Sequence, residues 1–417
     1  MSLMFKIERQ FSNPASFLLV PVLLSPLSWF LGLNLIFYHL IAFFIFLSVY
    51  GKKGQKHIPL VLVFLGLYSA VYLGSIILVV PGEEFSRILA SLYNWSYWLM
   101  GCMLIYSVVN AREDLDFTSV YHGVSKIILG LGALAFILYL GAGIIQELRV
   151  PSLLGLFLPL GALPPLISDS FSLNLLGVDW FAGDSTPRMS LLAPYPTAFA
   201  MAIIGLLIFS FTKRISLVLV LVCGFMVYMS LSRMVMVFYL VSLLLVAFIS
   251  LESSLRRMVS VFGITLLLLF LPYVAPSMFL AWDEFNAVRQ ASSDMRMYLY
   301  QLSIDTALEE RPVIGMGVKS RGELLIPLGS HSTLVGAFYK TGFLGFLLLF
   351  CFYFLSLVMA VFSIVYARRD VAYIGGLVVL FSVFSIFEDM DAPQLVSYMF
   401  FLCVGFLCRF VKFRLSQ

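Results

Sequence analysis

Unbroken apolar runs long enough to cross a lipid bilayer, separated by short charged clusters, limit what this chain can fold into. Hydrophobic residues make up 61% of the 417 residues and charged residues only 12%, whereas soluble domains carry about 25% charged residues. Because backbone groups in lipid must be hydrogen-bonded internally, such runs favour helices, and the strands of a membrane barrel would instead alternate. The sequence therefore predicts an all-α polytopic membrane protein, with residues 1–417 forming a single integral membrane domain.

About twelve transmembrane helices are predicted from these runs. Their approximate positions are 16–32, 34–50, 58–80, 88–109, 125–145, 191–212, 215–231, 234–251, 258–280, 338–366, 371–388 and 393–411. The first two are interrupted by Pro21, Pro26 and Gly32, so they could form a tight hairpin. No small-residue cleavage site follows the N-terminal segment, so the first helix is expected to be retained rather than removed as a signal peptide.

The distribution of lysine and arginine predicts the orientation of these helices. Most of these cations fall in short loops on one side of the membrane, which by the positive-inside rule is the cytoplasmic side. Both termini are then cytoplasmic, and the two long loops lie on the outer face. They are the first outer loop, 146–190, and a large outer loop, 281–337, before the tenth helix. Because these loops and their flanks keep several cations without a topological reason, the function is expected on the outside.

Several classes of function lack any support in the sequence. No Walker loop, dinucleotide fingerprint or Cys/His metal-ligand spacing is present, so no metal and no cofactor are expected. The five cysteines all fall inside apolar runs, where they are expected to pack. The net charge of +4 reflects the loops that flank the membrane, so no nucleic-acid partner is expected.

Two arginines at the membrane edge are candidate anion-binding residues. Arg188 ends the first outer loop, and Pro194 and Pro196 then disturb the start of the next helix. A broken helix start with free N–H groups beside an arginine can bind an anion, but such an arginine can equally reach lipid headgroups. Arg233, in the Ser232-Arg233 pair, has long apolar runs on both sides. It is either a turn residue at the outer surface or a second cation at the same cavity.

A polar segment, residues 289–345, begins in the large outer loop and is expected to carry the site. Ser292, Ser293 and Asp294 predict the N-cap of a helix that stops before Arg311-Pro312. Arg296 would then lie in the first turn, where the helix dipole disfavours a cation unless an anion binds there. Gly315 and Gly317 predict a sharply turning loop after this helix.

His331 is the only histidine in a long loop, and it directly precedes an apolar helix. At neutral pH an imidazole can take a proton from a sugar hydroxyl. Alternatively, the histidine could cap the helix or bond to a backbone carbonyl. Several arginines suit a pyrophosphate, because guanidinium groups match phosphate geometry and stay charged. A histidine among them would supply a base, so a lipid-linked pyrophosphate sugar is a substrate that would need both.

These residues resemble the signature of the O-antigen polymerase and O-antigen ligase superfamily. The resemblance lies in RPVIGMG at residues 311–317, GSHSTLVGAFYKTGFLG at residues 329–345, an arginine upstream of both, and the Ser232-Arg233 pair. It covers roughly residues 185–366. It implies a metal-independent glycosyltransferase with a glycosyltransferase C class-like fold, acting on the periplasmic face of the bacterial inner membrane. The implied donor is an oligosaccharide linked to undecaprenyl pyrophosphate.

The resemblance also implies roles for individual residues. His331 matches the functional histidine, Arg296 the arginine of the loop helix, and Arg188 the arginine at the earlier loop edge. Arg233 matches the serine-arginine position, and together the three arginines are expected to bind pyrophosphate. Arg289 and Arg321 have no secure counterpart and are candidates for glycan or phosphate contacts. Membrane lipid, a chain-length regulator and a flippase are further expected partners.

Two departures from the family pattern favour a polymerase of surface polysaccharide repeat units over a ligase that transfers glycan to lipid A-core. Ligases often have His-Asn where this chain has His331-Ser332, and an acid where it has Lys340. A transporter of lipid-linked sugars is a rival, but it predicts cations within the spans and requires no outer histidine. A polymerase of the peptidoglycan type is a further rival that needs a loop acid. The candidate acids are Asp283, Glu284, Asp294 and Glu323.

Overall fold

The computed structural model of the chain is mostly helical. It describes residues 14–51, 56–111, 117–142, 147–158, 171–179, 184–263, 265–266, 290–320, 327–391 and 395–415. Its helices are α1 (Pro14–Leu31), α2 (Asn34–Tyr50), α3 (Leu60–Val79), α4 (Phe85–Asn110), α5 (Phe117–Ala142), α6 (Pro196–Phe211), α7 (Leu217–Met229), α8 (Arg233–Ser250), α9 (Gln290–Glu310), α10 (Thr333–Tyr366), α11 (Arg369–Phe387) and α12 (Leu395–Leu415). Residues 253–263 are also helical.

Eleven of these helices coincide with eleven of the twelve predicted spans. The predicted span 258–280 lies mostly outside the described residues. Within the described part of the chain, seven helices are long and apolar enough to cross a membrane, and four apolar helices are shorter. The chain is therefore a polytopic helical membrane protein, while the number of crossings stays a prediction.

The first two helices form the expected tight hairpin. α1 continues through Pro21 and Pro26, and only two residues separate it from α2. Gly32 adopts a positive φ of 79° at this turn. A Cβ there would lie 2.2 Å from the hydroxyl oxygen of Ser152, so the turn also requires glycine for its close contact with the first outer loop.

A three-stranded antiparallel sheet lies in the first outer loop, which the all-α prediction did not include. Its strands are β1 (Leu148–Pro151), β2 (Ser172–Asp179) and β3 (Asp184–Met189), in the order β1-β2-β3. Backbone N–H and C=O groups that are not in a helix still need hydrogen-bond partners, and in this loop the neighbouring strands supply them. Between β1 and β2, residues 159–170 lie outside the described residues, and the part before them contains a short 3-10 turn at Leu154–Leu156.

The core of the bundle forms where α10, α11 and α12 pack on one another and on α3 and α4. The helix α12 is the most enclosed of the long helices, because the residues of its central turns are almost all buried. The loop helix α9 packs on the start of α10 through a small apolar cluster of Leu299, Ala307, Leu328 and Tyr339. This contact places the loop helix over the start of α10 and beside the end of α11.

Three of the cations assigned to the cytoplasmic side bind the C-terminal carbonyl groups of helices. Arg256 is 2% exposed and donates to the carbonyl oxygens of Ile364 (2.6 Å) and Ala367 (2.8 Å) at the end of α10. Arg409 does the same for α4, and Lys56 for α2. Cations at helix C-termini satisfy free carbonyls and complement the helix dipole. Part of the positive charge on this side therefore has a structural role in addition to any effect on topology.

Candidate functional site

An acidic turn between α11 and α12 is the most unexpected feature near the predicted site. Glu388, Asp389 and Asp391 are 7%, 8% and 2% exposed. Burying an unpaired carboxylate is costly, so each requires a positive partner or hydrogen bonds. This turn lies outside the long outer loops, from which the candidate acids were predicted. Three acids within four residues, in a chain with 12% charged residues, are the signal that could have found it.

Three cations from the large outer loop and α10 pair with this turn. Arg296 Nη2 lies 3.3 Å from Glu388 Oε1, and Lys319 Nζ lies 2.7 Å from Asp389 Oδ2. Lys340 Nζ donates to Asp391 Oδ2. Three cations thus face three carboxylates, and each pair offsets part of the cost of burying its charges. We name this set, Arg296, Lys319, Lys340, Glu388, Asp389 and Asp391, the charge cluster.

Thr333 fixes the acidic turn to the start of α10. Its hydroxyl donates to the carbonyl oxygen of Glu388 and accepts from the backbone N–H of Met390, both at 2.8 Å. Thr333 is the first residue of α10 and follows His331 by two positions in the sequence. These bonds therefore hold the acidic turn close to the backbone of His331. The charge cluster and the candidate base therefore share one rigid attachment.

The backbone of His331 is held tightly. It adopts a positive φ of 63°, and its carbonyl oxygen accepts a hydrogen bond from the Tyr300 hydroxyl at 2.6 Å. The N-cap of α10 is Ser332, whose hydroxyl accepts from Val335 N, so the alternative in which His331 caps the helix is wrong. Burial lowers the pKa of the imidazole to about 4, and the charges of Arg296 and Lys319 act in the same direction. The side chain is therefore neutral at pH 7 and able to accept a proton.

The local prediction for Arg296 is wrong, although the residue does lie at the site. α9 already includes Gln290, so Ser292, Ser293 and Asp294 lie inside the helix and do not cap it. Arg296 is consequently not in the first turn, and a bound anion is not needed to explain it. Its guanidinium instead donates to the Phe387 carbonyl at 3.2 Å and to Glu388.

Arg188 was predicted to lie beside a broken helix start. In the structure it reaches the site from the sheet instead. It lies on β3, opposite Gly177 of β2, and α6 begins only at Pro196. Its Nε donates to the Ser230 carbonyl at 3.1 Å, in the turn that leads to Arg233. The charge of Arg188 also lowers the pKa of Glu388, so the two side chains lie within electrostatic reach.

Arg233 is the first residue of α8 and directly follows the turn that holds Arg188. Ser232 before it is buried and bonds to the hydroxyl of Thr197 at 3.4 Å. The structure thus brings Arg188, Arg296 and His331 to one region and joins Arg233 to it through the Ser230 turn. Arg289 and Arg321 lie outside the described residues, as do the candidate acids Asp283, Glu284 and Glu323. Asp294 is exposed on α9.

The segment RPVIGMG binds to the backbone of α10 at a bend, and its glycines allow this close approach. α10 bends at Gly342, with φ 62° and ψ −163°, which frees backbone groups on both sides of the bend. Residues 312–317 satisfy them: Met316 N and Gly317 N donate to the carbonyls of Tyr339 and Lys340, and Phe343 N donates to the Pro312 carbonyl. A Cβ on Gly315 would lie 2.4 Å from Gly342 N. The prediction of a sharp turn at Gly315 and Gly317 is confirmed by their positive φ angles.

Glu388 is a second titratable group at the site. Burial raises the pKa of its carboxyl to about 7, although Arg296 beside it opposes this shift. By contrast, the pKa of Asp391 is lowered, because Lys340 and Lys319 outweigh the effect of burial. Burial also raises the pKa of Asp389, so Glu388 is one member of the charge cluster that can change its charge near neutral pH. Among the described residues, no group of three His, Cys, Asp or Glu side chains could hold a metal ion.

Comparison with known proteins gives one finding. The model of a family described as O-antigen ligase matches residues 217–350, about a third of the chain. The matched segment contains Arg233, Arg296 and His331, whereas Arg188 and the acidic turn lie outside it. No curated protein matches the chain.

Proposed function

Because the match at residues 217–350 confirms the resemblance of this chain to the O-antigen polymerase and O-antigen ligase superfamily, we propose that it polymerises surface-polysaccharide repeat units. The donor is an oligosaccharide on undecaprenyl pyrophosphate, and the acceptor is a sugar of another lipid-linked unit. The enzyme is a metal-independent glycosyltransferase of the bacterial inner membrane, with cytoplasmic termini and a periplasmic site. The observation that carries the proposal is the position of His331 beside the Arg296 end of the charge cluster, where Tyr300 and Thr333 hold it.

In the proposed reaction, an acceptor hydroxyl oxygen attacks the anomeric carbon of the donor sugar. The bond from that carbon to the pyrophosphate oxygen breaks, and undecaprenyl pyrophosphate leaves with the electron pair. The imidazole of His331 takes the hydroxyl proton as the new glycosidic bond forms. Arg188 and Arg296, with Arg233 through the Ser230 turn, stabilise the charge that grows on the leaving group.

Transfer to lipid A-core, the reaction of a ligase, is the alternative. Lys340 and Ser332, the two positions that depart from the ligase pattern, have defined structural contacts: Lys340 pairs with Asp391 and Ser332 caps α10. A transporter is supported less, because of the described cations at the site only Lys340 lies within a predicted span, and it pairs with Asp391 of the acidic turn.

A reconstituted assay tests the proposed function directly. Purified protein in lipid vesicles receives a single lipid-linked repeat unit, and the products are separated by size. We expect a ladder of products that differ by one repeat unit. Transfer only to added lipid A-core would assign the chain as a ligase, and no transfer to either acceptor would favour the transporter.

The charge balance of the cluster predicts that donor binding depends on pH. With Glu388 ionised, its carboxylate offsets Arg296, so less positive charge is available for a pyrophosphate. Protonation of Glu388 removes that offset, and the pKa of about 7 places this change near neutral pH. If the bound donor requires protonated Glu388, affinity should be about tenfold tighter at pH 6 than at pH 8, following the protonated fraction.

This prediction is measured by binding of a lipid-linked repeat unit to the His331→Ala variant, which prevents turnover. The pyrophosphate of that donor is esterified at both ends, so its own charge stays constant between pH 6 and pH 8. Adding Glu388→Gln is the matched control, since glutamine has nearly the same shape and no charge. It should bind tightly at both pH values. The same pH dependence in the Glu388→Gln variant would assign the titration to another group.

A further inference from the structure

One face of α9 points away from the protein and lines an open cavity of about 500 Å³. The buried face of the helix carries Leu299, Ser303 and Ala307, which are at most 1% exposed. The opposite face lines the cavity with residues three or four positions apart, as expected for one side of a helix. They are Asp294, Met297, Tyr298, Gln301, Ile304 and Asp305. The cavity is open, and the described residues that line it all belong to α9.

Tyr300 connects this cavity to the candidate base. Its side chain lines the cavity, and its hydroxyl donates to the carbonyl oxygen of His331 at 2.6 Å. The same helix carries Arg296, which pairs with Glu388 on the inner side. The helix α9 therefore separates the cavity from the charge cluster, and a molecule in the cavity would contact the opposite face of α9.

The side chains of this face suit a sugar. Carboxylates accept hydrogen bonds from hydroxyl groups, and the amide of Gln301 both donates and accepts. Tyr298 is 55% exposed and offers an aromatic surface against which the apolar side of a sugar ring can pack. The acids Asp294, Asp305, Glu309 and Glu310 are all exposed on this helix. Their charge disfavours both an anionic lipid surface and an acidic sugar.

We propose that the outer face of α9, formed by Asp294, Tyr298, Gln301 and Asp305, binds an uncharged segment of the acceptor glycan. The inference rests on the proposed function, and it specifies the class of sugar that this function would use. Bound there, a glycan would extend from the reacting hydroxyl near His331 along α9. The acids of this face would select against acceptors that carry uronic acids near the reacting end.

The test measures glycan binding without catalysis. The full-length His331→Ala protein in neutral detergent is titrated with a lipid-free tetrasaccharide of hexoses and N-acetylhexosamines. A second probe is the same tetrasaccharide with one hexuronic acid. We expect the uncharged probe to bind at least about tenfold more tightly than the acidic one, and Tyr298→Ala or Gln301→Ala to weaken its binding by roughly tenfold. Asp294→Asn with Asp305→Asn should reduce the discrimination against the acidic probe.

Glu309→Ala is the matched control, because Glu309 is exposed on the same helix but does not line the cavity. It should leave binding of the uncharged probe unchanged. The inference is overturned if the uncharged probe does not bind, if Tyr298→Ala binds it normally, or if the acidic probe binds better. If the probe binds as expected but the vesicle assay shows no transfer, the proposed function fails while the glycan site stands. If transfer occurs but the substitutions on α9 do not change glycan binding, only the proposal of the glycan site is wrong.

Discussion

Replacement of His331 by alanine should lower glycan transfer by about 10²–10⁴-fold, the usual contribution of a general base. The imidazole is neutral at pH 7, so one ring nitrogen is free to accept the proton, although burial and the two nearby cations make it a weaker base than a free imidazole. The contacts that hold this position use the backbone of His331 and the side chains of Tyr300 and Ser332. The alanine variant keeps them, so its level in the membrane should be unchanged. Transfer is measured with the lipid-linked repeat unit in vesicles.

His331→Asn is the second variant for this test. Asparagine tolerates a positive φ better than most residues, so it suits the backbone angle of 63° without supplying a comparable base. We expect it to be as inactive as alanine. Near-normal transfer by either variant would show that another group takes the proton.

Lys340→Met should destabilise the protein by about 3–5 kcal/mol, because it leaves the buried carboxylate of Asp391 without its principal partner. Asp391→Leu should have an effect of similar size, since Lys340 would then be buried without an anion. Both side chains are only 2% exposed. Replacing both residues together should restore most of the lost stability, because a buried ion pair can often be exchanged for apolar groups. Unfolding in detergent, followed for all four proteins, gives the coupling energy.

The pair of Arg368 and Asp370 supplies a matched control. Its two side chains lie 2.6 Å apart, but the arginine side chain is 81% exposed. Exposed ion pairs contribute about 0–1 kcal/mol, so Arg368→Gln should change stability little. If Lys340→Met behaved like this control, the buried pair would not be a principal structural contact of the acidic turn.

The spans were predictable because an apolar run of about 20 residues has few alternatives to a helix. The first residues of the helices were not predictable in the same way. The error at Ser292 to Asp294 shows the reason, because polar residues that favour an N-cap can also lie inside a helix. The sheet of β1 to β3 gave no clear alternation, so it was missed. Arg296 and His331 were predicted as one site from cation chemistry and from the family resemblance. The acidic turn was missed because Glu388 becomes significant only once the fold places Arg296 beside it.

The bend at Gly342 also determines how the proposed substrates can meet. Since residues 312–317 are bonded to both sides of the bend, this part of the large outer loop is held to α10. We expect His331, just before this helix, to keep a fixed position relative to it. A donor anchored by its lipid tail would reach it only by diffusing within the plane of the membrane. The encounter between donor and enzyme would thus be a search in two dimensions, with a rate set by the surface density of lipid-linked units.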